Sequence, residues 1–208
     1  FNWSSTKRGY GRVLRTRITA FYTLSSVCLQ AVFVMYLSSS ERIISDILGR
    51  GDQFPIIFGV VAIGFGITAF INGKLVTAIG IQKLLFGASI FLVFSSSVLM
   101  VVTLISEGTP NFWLFIPVLA VVLGTFMFIM PNLNSAALFP MGDIAGTASA
   151  FTSAIRMSIG AAIGGVLNSL IKDSLTPFAV GVVCMAILTM VTIFVAGDPE
   201  PERDYLPS

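Results

Sequence analysis

Few residues of this sequence are equipped for chemistry, and the most unusual of them is a single cation. Arg156 stands inside the long, mostly apolar run Ala148–Leu170. Around it, at helical spacing, lie Ser149, Thr152 or Ser153, Gly160 and Gly164, so one helix face carries hydroxyls, a guanidinium and two bare stretches of backbone. A second polar stripe, Thr19, Tyr22 or Thr23, Ser26 and Gln30, has the same three- and four-residue spacing. The chemistry on offer is recognition. A guanidinium binds an anionic group or holds down the pKa of a nearby acid, and hydroxyls and amides orient a polar ligand. The competing reading is structural: an interhelical hydrogen-bond seam, with Arg156 bonded to backbone carbonyls of neighbouring helices.

Covalent and acid–base chemistry has little to work with. The sequence has no histidine, which removes the usual general base and the commonest zinc ligand. Cys28 and Cys184 lie far apart in apolar runs and read as small buried hydrophobes, not as a disulfide or a metal pair. Asp143 is isolated, with no second acid nearby. No cofactor or metal site is expected, and an intramembrane enzyme, which needs a histidine, a carboxylate or a metal cluster near a span, is disfavoured. The net charge of +2 is too small, and the basic residues too localised, for nucleic-acid binding.

The elements that must position these residues are set by composition. The chain is 55% hydrophobic and only 11% charged, with a mean hydropathy of +0.93. Soluble domains carry roughly 25% charged residues, so this one could not coat a water-facing surface. Six runs approach or exceed the roughly 20 apolar residues that cross a bilayer core: Ile18–Leu37, Phe54–Asn72, Leu84–Ile105, Phe112–Met130, Ala148–Leu170 and Pro177–Val195. Alternating ten-residue strands are absent, so the fold class is all-α. Arg156 is near the middle of the fifth span, too deep to reach either surface easily, and a charge there costs several kcal/mol unless it faces a cavity. None of the six spans contains an acidic residue to pair with it.

Loop charges orient the bundle. Lys7, Arg8, Arg12, Arg15, Arg17, Lys74, Lys83 and Arg203 fall on one side, and Arg42, Arg50 and Lys172 on the other, mixed with Glu41, Asp46, Asp52, Glu107 and Asp173. The positive-inside rule puts the first set, and both termini, in the cytoplasm. The chain divides into a basic lead-in (1–17), a six-helix membrane bundle (18–196) and an acidic tail (197–208) that reads as disordered. Glu41–Gly49 reads as a short amphipathic turn on the outer surface. Glycines 59, 64, 66, 73 and 124, with Pro131, mark places where helices can bend or slide, and Gly160 and Gly164 allow a close helix approach. The third and sixth spans, without charge, suit a lipid-facing position. The sequence opens on Phe1 with no signal peptide before the first span, so a fragment with a cut loop at its start is expected.

Three stretches resemble a known family. Gly73-Lys74-Leu75-Val76-Thr77-Ala78-Ile79-Gly80-Ile81-Gln82-Lys83 is similar to the major-facilitator loop pattern G-x-L-a-D-R-x-G-R-[KR], matched at Gly73, Leu75, Gly80 and Lys83, with Thr77 and Ala78 in place of its charged pair. Pro131-Asn132-Leu133-Asn134-Ser135-Ala136-Ala137-Leu138 and Ala145-Gly146-Thr147-Ala148-Ser149-Ala150 resemble the "PNxNxxAL" and "AGTASA" runs of the Bcr/CflA drug-resistance exporters. The basic lead-in Tyr10–Arg15 is similar to the segment before their seventh helix. Pro131 is expected to end the fourth span, with Gly146 turning the chain and Thr147 and Ser149 capping the fifth.

The resemblance implies the C-terminal half of a twelve-helix carrier, a 3+3 inverted-repeat half-bundle in the inner membrane. It further implies proton-driven export of small, mostly hydrophobic compounds, with spans one, two, four and five lining the pathway and a missing N-terminal half as partner. That half would hold the proton-carrying acid, while Tyr22, Ser26, Gln30, Thr152 and Arg156 supply one wall. Two alternatives remain open: a carrier for a metabolite such as an amino acid, nucleoside or organic acid, and a membrane scaffold that transports nothing.

Overall fold

The computed structural model describes residues 3–199, with side chains from residue 9 onward. Among them only helices and their joints occur: α1 (Trp3–Arg15), α2 (Arg17–Glu41), α3 (Phe54–Ile79), α4 (Ile81–Ile105), α5 (Phe112–Leu138), α6 (Ala145–Ser169) and α7 (Thr176–Ala196). Helices are what a chain this apolar can form in hydrocarbon, because each segment must satisfy its own N–H and C=O groups. Five continuous helical stretches are long and apolar enough to cross a membrane. One of them, Phe112–Ser169, has 58 residues, roughly 87 Å if straight and far longer than a core of about 30 Å. It is in fact α5 and α6, separated by a 3-10 turn, Phe139–Ile144, in which Met141 leaves the helical region at φ −112°.

The joints are short and tied down. Between α3 and α4 the only linking residue is Gly80, at φ 81° and ψ 155°, a region open almost exclusively to glycine. At the opposite end Gly108 (φ 87°) packs so closely on Ser174 that a Cβ would lie 1.9 Å from its Oγ, and the Gly108 carbonyl accepts from the Leu175 N–H at 2.8 Å. Two arginines serve carbonyls at helix ends: Arg17 donates twice to Val195 O at 3.1 and 2.7 Å, and Arg42 donates to Ile171 O at 2.7 Å.

α2 is the centre of the bundle, packed on α5, α6 and α7, while α4 lies against α5 and α7. Tyr22, Leu29, Met35, Tyr36, Phe115 and Phe126 fill the core between them. α3 leans mainly on α5 and is the least covered: 11% of its most apolar stretch is buried, against 61% for the span containing α2. The pairings repeat when the first three long helices are exchanged for the last three. α2 meets α6 and α7 as α5 meets α3 and α4, α2 meets α5, and α4 meets α7.

Four expectations are corrected. Pro131 does not end its helix; α5 continues to Leu138, because a proline deletes only one ladder bond and surrounding groups absorb the loss. Thr147 and Ser149 do not cap α6 and Gly146 makes no turn. The 3-10 turn feeds straight into the helix through Ile144, with no side-chain cap bond. Glu41–Gly49 is no surface turn: Arg42–Ile47 continues α2 as a π-helix, driving Ile43 and Ile44 into the core at 0% and 2% exposure. Cys184 is not buried: it lies exposed on α7, while Cys28 is enclosed. Asp143, expected to have no second acid nearby, is met by a base instead, Arg12 on α1 at 2.5 Å. The tail proposed as disordered, with Arg203, lies outside the described residues from 200 onward, as do the side chains of Lys7 and Arg8.

Candidate functional site

The two polar stripes lie on the most intimately packed helix pair, α2 and α6. A Cβ added to Gly160 would stand 2.6 Å from Gln30 Cβ and 3.2 Å from Val27 O, and one added to Gly164 would stand 2.5 Å from Ala31 O and 2.9 Å from Val34 Cβ. These contacts climb both helices in the same direction, so α2 and α6 run parallel. Glycine is needed at both positions because the backbones themselves touch. Carried back by one and two turns, the same register sets Arg156 level with Thr23 and Ser26, and Thr152 level with Thr19 and Tyr22.

Within that frame the predicted residues have different surroundings. Tyr22 is fully enclosed and its hydroxyl donates to Gly197 O at 2.7 Å, fastening the end of α7 to α2. Ser26 is buried and donates to Tyr22 O one turn back at 3.0 Å. Thr152 is nearly buried and donates to Ser149 O at 3.2 Å. Gln30 is half-buried against Gly160. Arg156 is half-buried too, but its Nε is cut off from solvent and has no hydrogen-bond partner among the described residues. No carboxylate among them pairs with it. A guanidinium carries five N–H donors, and leaving a shielded one unmet is costly. The Thr19 hydroxyl, two turns below Ser26, is likewise buried and unmet.

The motif residues divide. Gly80 forms the α3–α4 joint, whereas Gly73 is exposed and an added Cβ there would meet nothing within 4 Å. Pro131 is exposed within α5 and Asn134 half-buried. Asn132 is buried and donates its amide to Asn72 Oδ1 at 2.6 Å and to Phe128 O at 2.8 Å. That bridge, which joins α3 to α5, escaped the sequence reading; the signal was Asn72 itself, an amide in an apolar run that needs a partner. Gly146 is exposed, and Thr147 packs on Gly9 of α1 through its methyl.

The basic lead-in is thus a helix docked on the start of α6. Tyr10 stacks on Phe151 with ring centres 4.3 Å apart, and Val13 is buried with Met141 and Ala148. The hydrogen bond and charge of Arg12 hold the Asp143 carboxyl below its ordinary range.

No family model matches the chain, and no solved structure matches it. Among curated proteins it is 27% identical over 145 residues to a bicyclomycin resistance protein homolog of Haemophilus influenzae. The alignment covers 69% of this chain and 35% of that protein, so the chain spans about a third of the length of the relative it matches. The alignment and the three sequence motifs agree: this multi-helix, membrane-type chain is similar to the Bcr/CflA drug-resistance proteins of the major-facilitator superfamily.

Proposed function

We propose that the chain is the C-terminal six-helix half of a proton-driven exporter of small, mostly apolar compounds, working by alternating access with an N-terminal half that carries the titrating acid. The observation that carries this is Arg156: a guanidinium in the middle of a membrane-length helix, with its Nε shielded and unpartnered among the described residues. An intramembrane charge marks a ligand or ion pathway, and neither an acid nor a histidine is available in the spans to make this one a closed structural pair. Three features add support. The exchange of helix partners between α2–α4 and α5–α7 fits a 3+3 repeat. α3 and α6, assigned to the pathway by resemblance, keep broad uncovered faces, suited to a second half. The basic residues of α1, Arg17, Lys74 and Lys83 favour a cytoplasmic position for that end and for both termini.

In this reading Arg156 binds an anionic group of the substrate or holds down the pKa of the partner half's acid, with Gln30 and Thr152 beside it. Export assays of the complete carrier in proteoliposomes, dyes against metabolites, test the function. Arg156→Ala should lower transport by about tenfold or more, the scale of losing hydrogen bonds to a charge, and should shift its pH dependence. Unchanged rate and pH profile would remove Arg156 from the mechanism; no transport of any compound by the intact carrier would favour a scaffold.

A further inference from the structure

The pathway reading leaves unused a groove of about 650 Å³ between α3 and α4, floored by α5. Its walls are Ile67, Ile71, Leu84, Phe91, Val121 and Phe128, with glycine or alanine at 64, 87, 88, 120 and 124. The two hydroxyls on its wall are already engaged by their own helices: Thr68 donates to Gly64 O and Thr125 to Val121 O at 2.8 Å. At one end stands Lys83, which has no hydrogen bond or ion pair among the described residues. The groove is therefore an apolar trough that offers one polar group, a cation at its mouth with no partner among the described residues.

We infer that this groove holds one anionic phospholipid, its phosphate at Lys83 and an acyl chain along the trough. Three observations choose this occupant over a neutral drug or a protein helix. The first is charge: the Lys83 ammonium, unpaired among the described residues, stands at the mouth of an otherwise inert channel and complements a head group that is anionic at one point and a tail that is apolar throughout. The second is extent. From Lys83 to Phe91 the groove follows α4 for roughly 12 Å, and from Ile79 to Gly64 it follows α3 for roughly 22 Å, the scale of one leaflet of a core about 30 Å thick. The third is position. Lys83 opens α4 at the same end of the bundle as Lys74, whose ammonium lies 4.7 Å from the Phe70 ring centre, and that end carries the positive charge expected to meet anionic lipid. α3 packs on α5 but only slightly on α4; a lipid fills the gap between α3 and α4 and leaves the rest of α3 free for a second half.

The inference rests on the membrane placement and orientation argued above, not on transport. The test uses the complete carrier that contains this chain, in phosphatidylcholine vesicles with a little phosphatidylglycerol that bears a photoreactive diazirine on its acyl chain, and maps cross-links by peptide mass spectrometry. Labels should concentrate on 64–71, 87–91 and 120–128, and fall about fivefold in Lys83→Gln, the loss of one lysine's attraction to anionic lipid at a membrane surface. Gly87→Leu fills the trough from a position where an added Cβ meets nothing within 4 Å; it should abolish groove labelling while leaving the fold intact. Arg50→Gln, at the opposite end, should change nothing. Labelling spread evenly over every exposed helix face, or equal labelling by a diazirine phosphatidylcholine, overturns the site but leaves the membrane placement standing. No labelling of any helix would overturn both.

Discussion

The close approach of α2 and α6 makes a sharp forecast, because Gly164 and Gly165 are neighbours with opposite surroundings. Gly164→Ala places a methyl carbon 2.5 Å from the Ala31 carbonyl oxygen and 2.9 Å from Val34 Cβ, where comfortable contact is about 3.5–4.0 Å. Backbone cannot rotate aside as a side chain can. The helices must part by roughly 1 Å, forfeiting a quarter to a half of the dispersion energy at the affected contacts, or accept overpacking strain of about 1–3 kcal/mol. Against this, alanine removes the helix disadvantage of glycine, about 1 kcal/mol, so the net loss is about 0–2 kcal/mol. Gly165 is exposed and an added Cβ there meets nothing within 4 Å, so Gly165→Ala keeps only the propensity gain, up to about 1 kcal/mol. The two substitutions should differ by roughly 1–3 kcal/mol, the strain at Gly164, or roughly 2–12 °C for a domain of this size. The chain supplies its own reporter, since Cys28 on α2 is buried and Cys184 exposed. In a Cys184→Ser background, heating with a thiol-reactive dye follows the opening of α2 directly. Equal midpoints for the two variants would refute the claim that backbone contact at Gly164 sets the α2–α6 distance.

Other outcomes follow from single contacts. Asn132→Leu strands the Asn72 carbonyl in a buried position, and a double-mutant cycle with Asn72→Leu should return a coupling of about 0.6–1.7 kcal/mol, the range for hydrogen bonds within membranes; zero coupling would mean the bridge is incidental. Gly108→Ala faces both a positive φ and the Ser174 hydroxyl; backbone strain alone costs about 1–3 kcal/mol, and thermal unfolding should show it, whereas Gly59→Ala, with open space around it, should be neutral or stabilising. The Arg12–Asp143 pair should make α1 docking sensitive to acid. Because the folded state depresses the Asp143 pKa, its contribution is present above the ordinary value of 3.8 and is lost as pH falls through the lower folded value. Asp143→Asn or high salt should likewise loosen α1, and hydrogen exchange across Tyr10–Arg15, corrected for intrinsic rates, reads all three; exchange unaltered by each would show that the Tyr10–Phe151 stack and Val13 hold α1 without the ion pair.

Much of the architecture was legible because hydrocarbon imposes few choices. Runs of about 20 apolar residues with no acid among them can only be helices, their lengths follow from bilayer thickness, and their charged ends follow from the cost of burying ions. The same economy flagged Arg156, since a guanidinium so deep in an apolar run is conspicuous in any order of packing. It also flagged Gly160 and Gly164, whose spacing alone puts bare backbone on one helix face. What composition and spacing left open was which surface each residue meets. Tyr22 and Gln30 share a stripe, yet Tyr22 is enclosed and bonded to Gly197 while Gln30 presses on Gly160. Pro131 looks like a terminator but sits within α5, and Asn72 looks like a span boundary but is the acceptor of a buried bridge.

The sequence by itself therefore determined the all-helical membrane class, the positions of the long helices and the unpaired charge, because each depends on local transfer energies that no partner can reverse. Only the tertiary structure decided that α6 lies in backbone contact with α2, that α3 stands apart over an apolar groove with Lys83 at its mouth, and that Arg12 finds Asp143. Those outcomes depend on contacts between residues more than a hundred positions apart, or on the room left between helices, and neither is encoded in the period of a single helix.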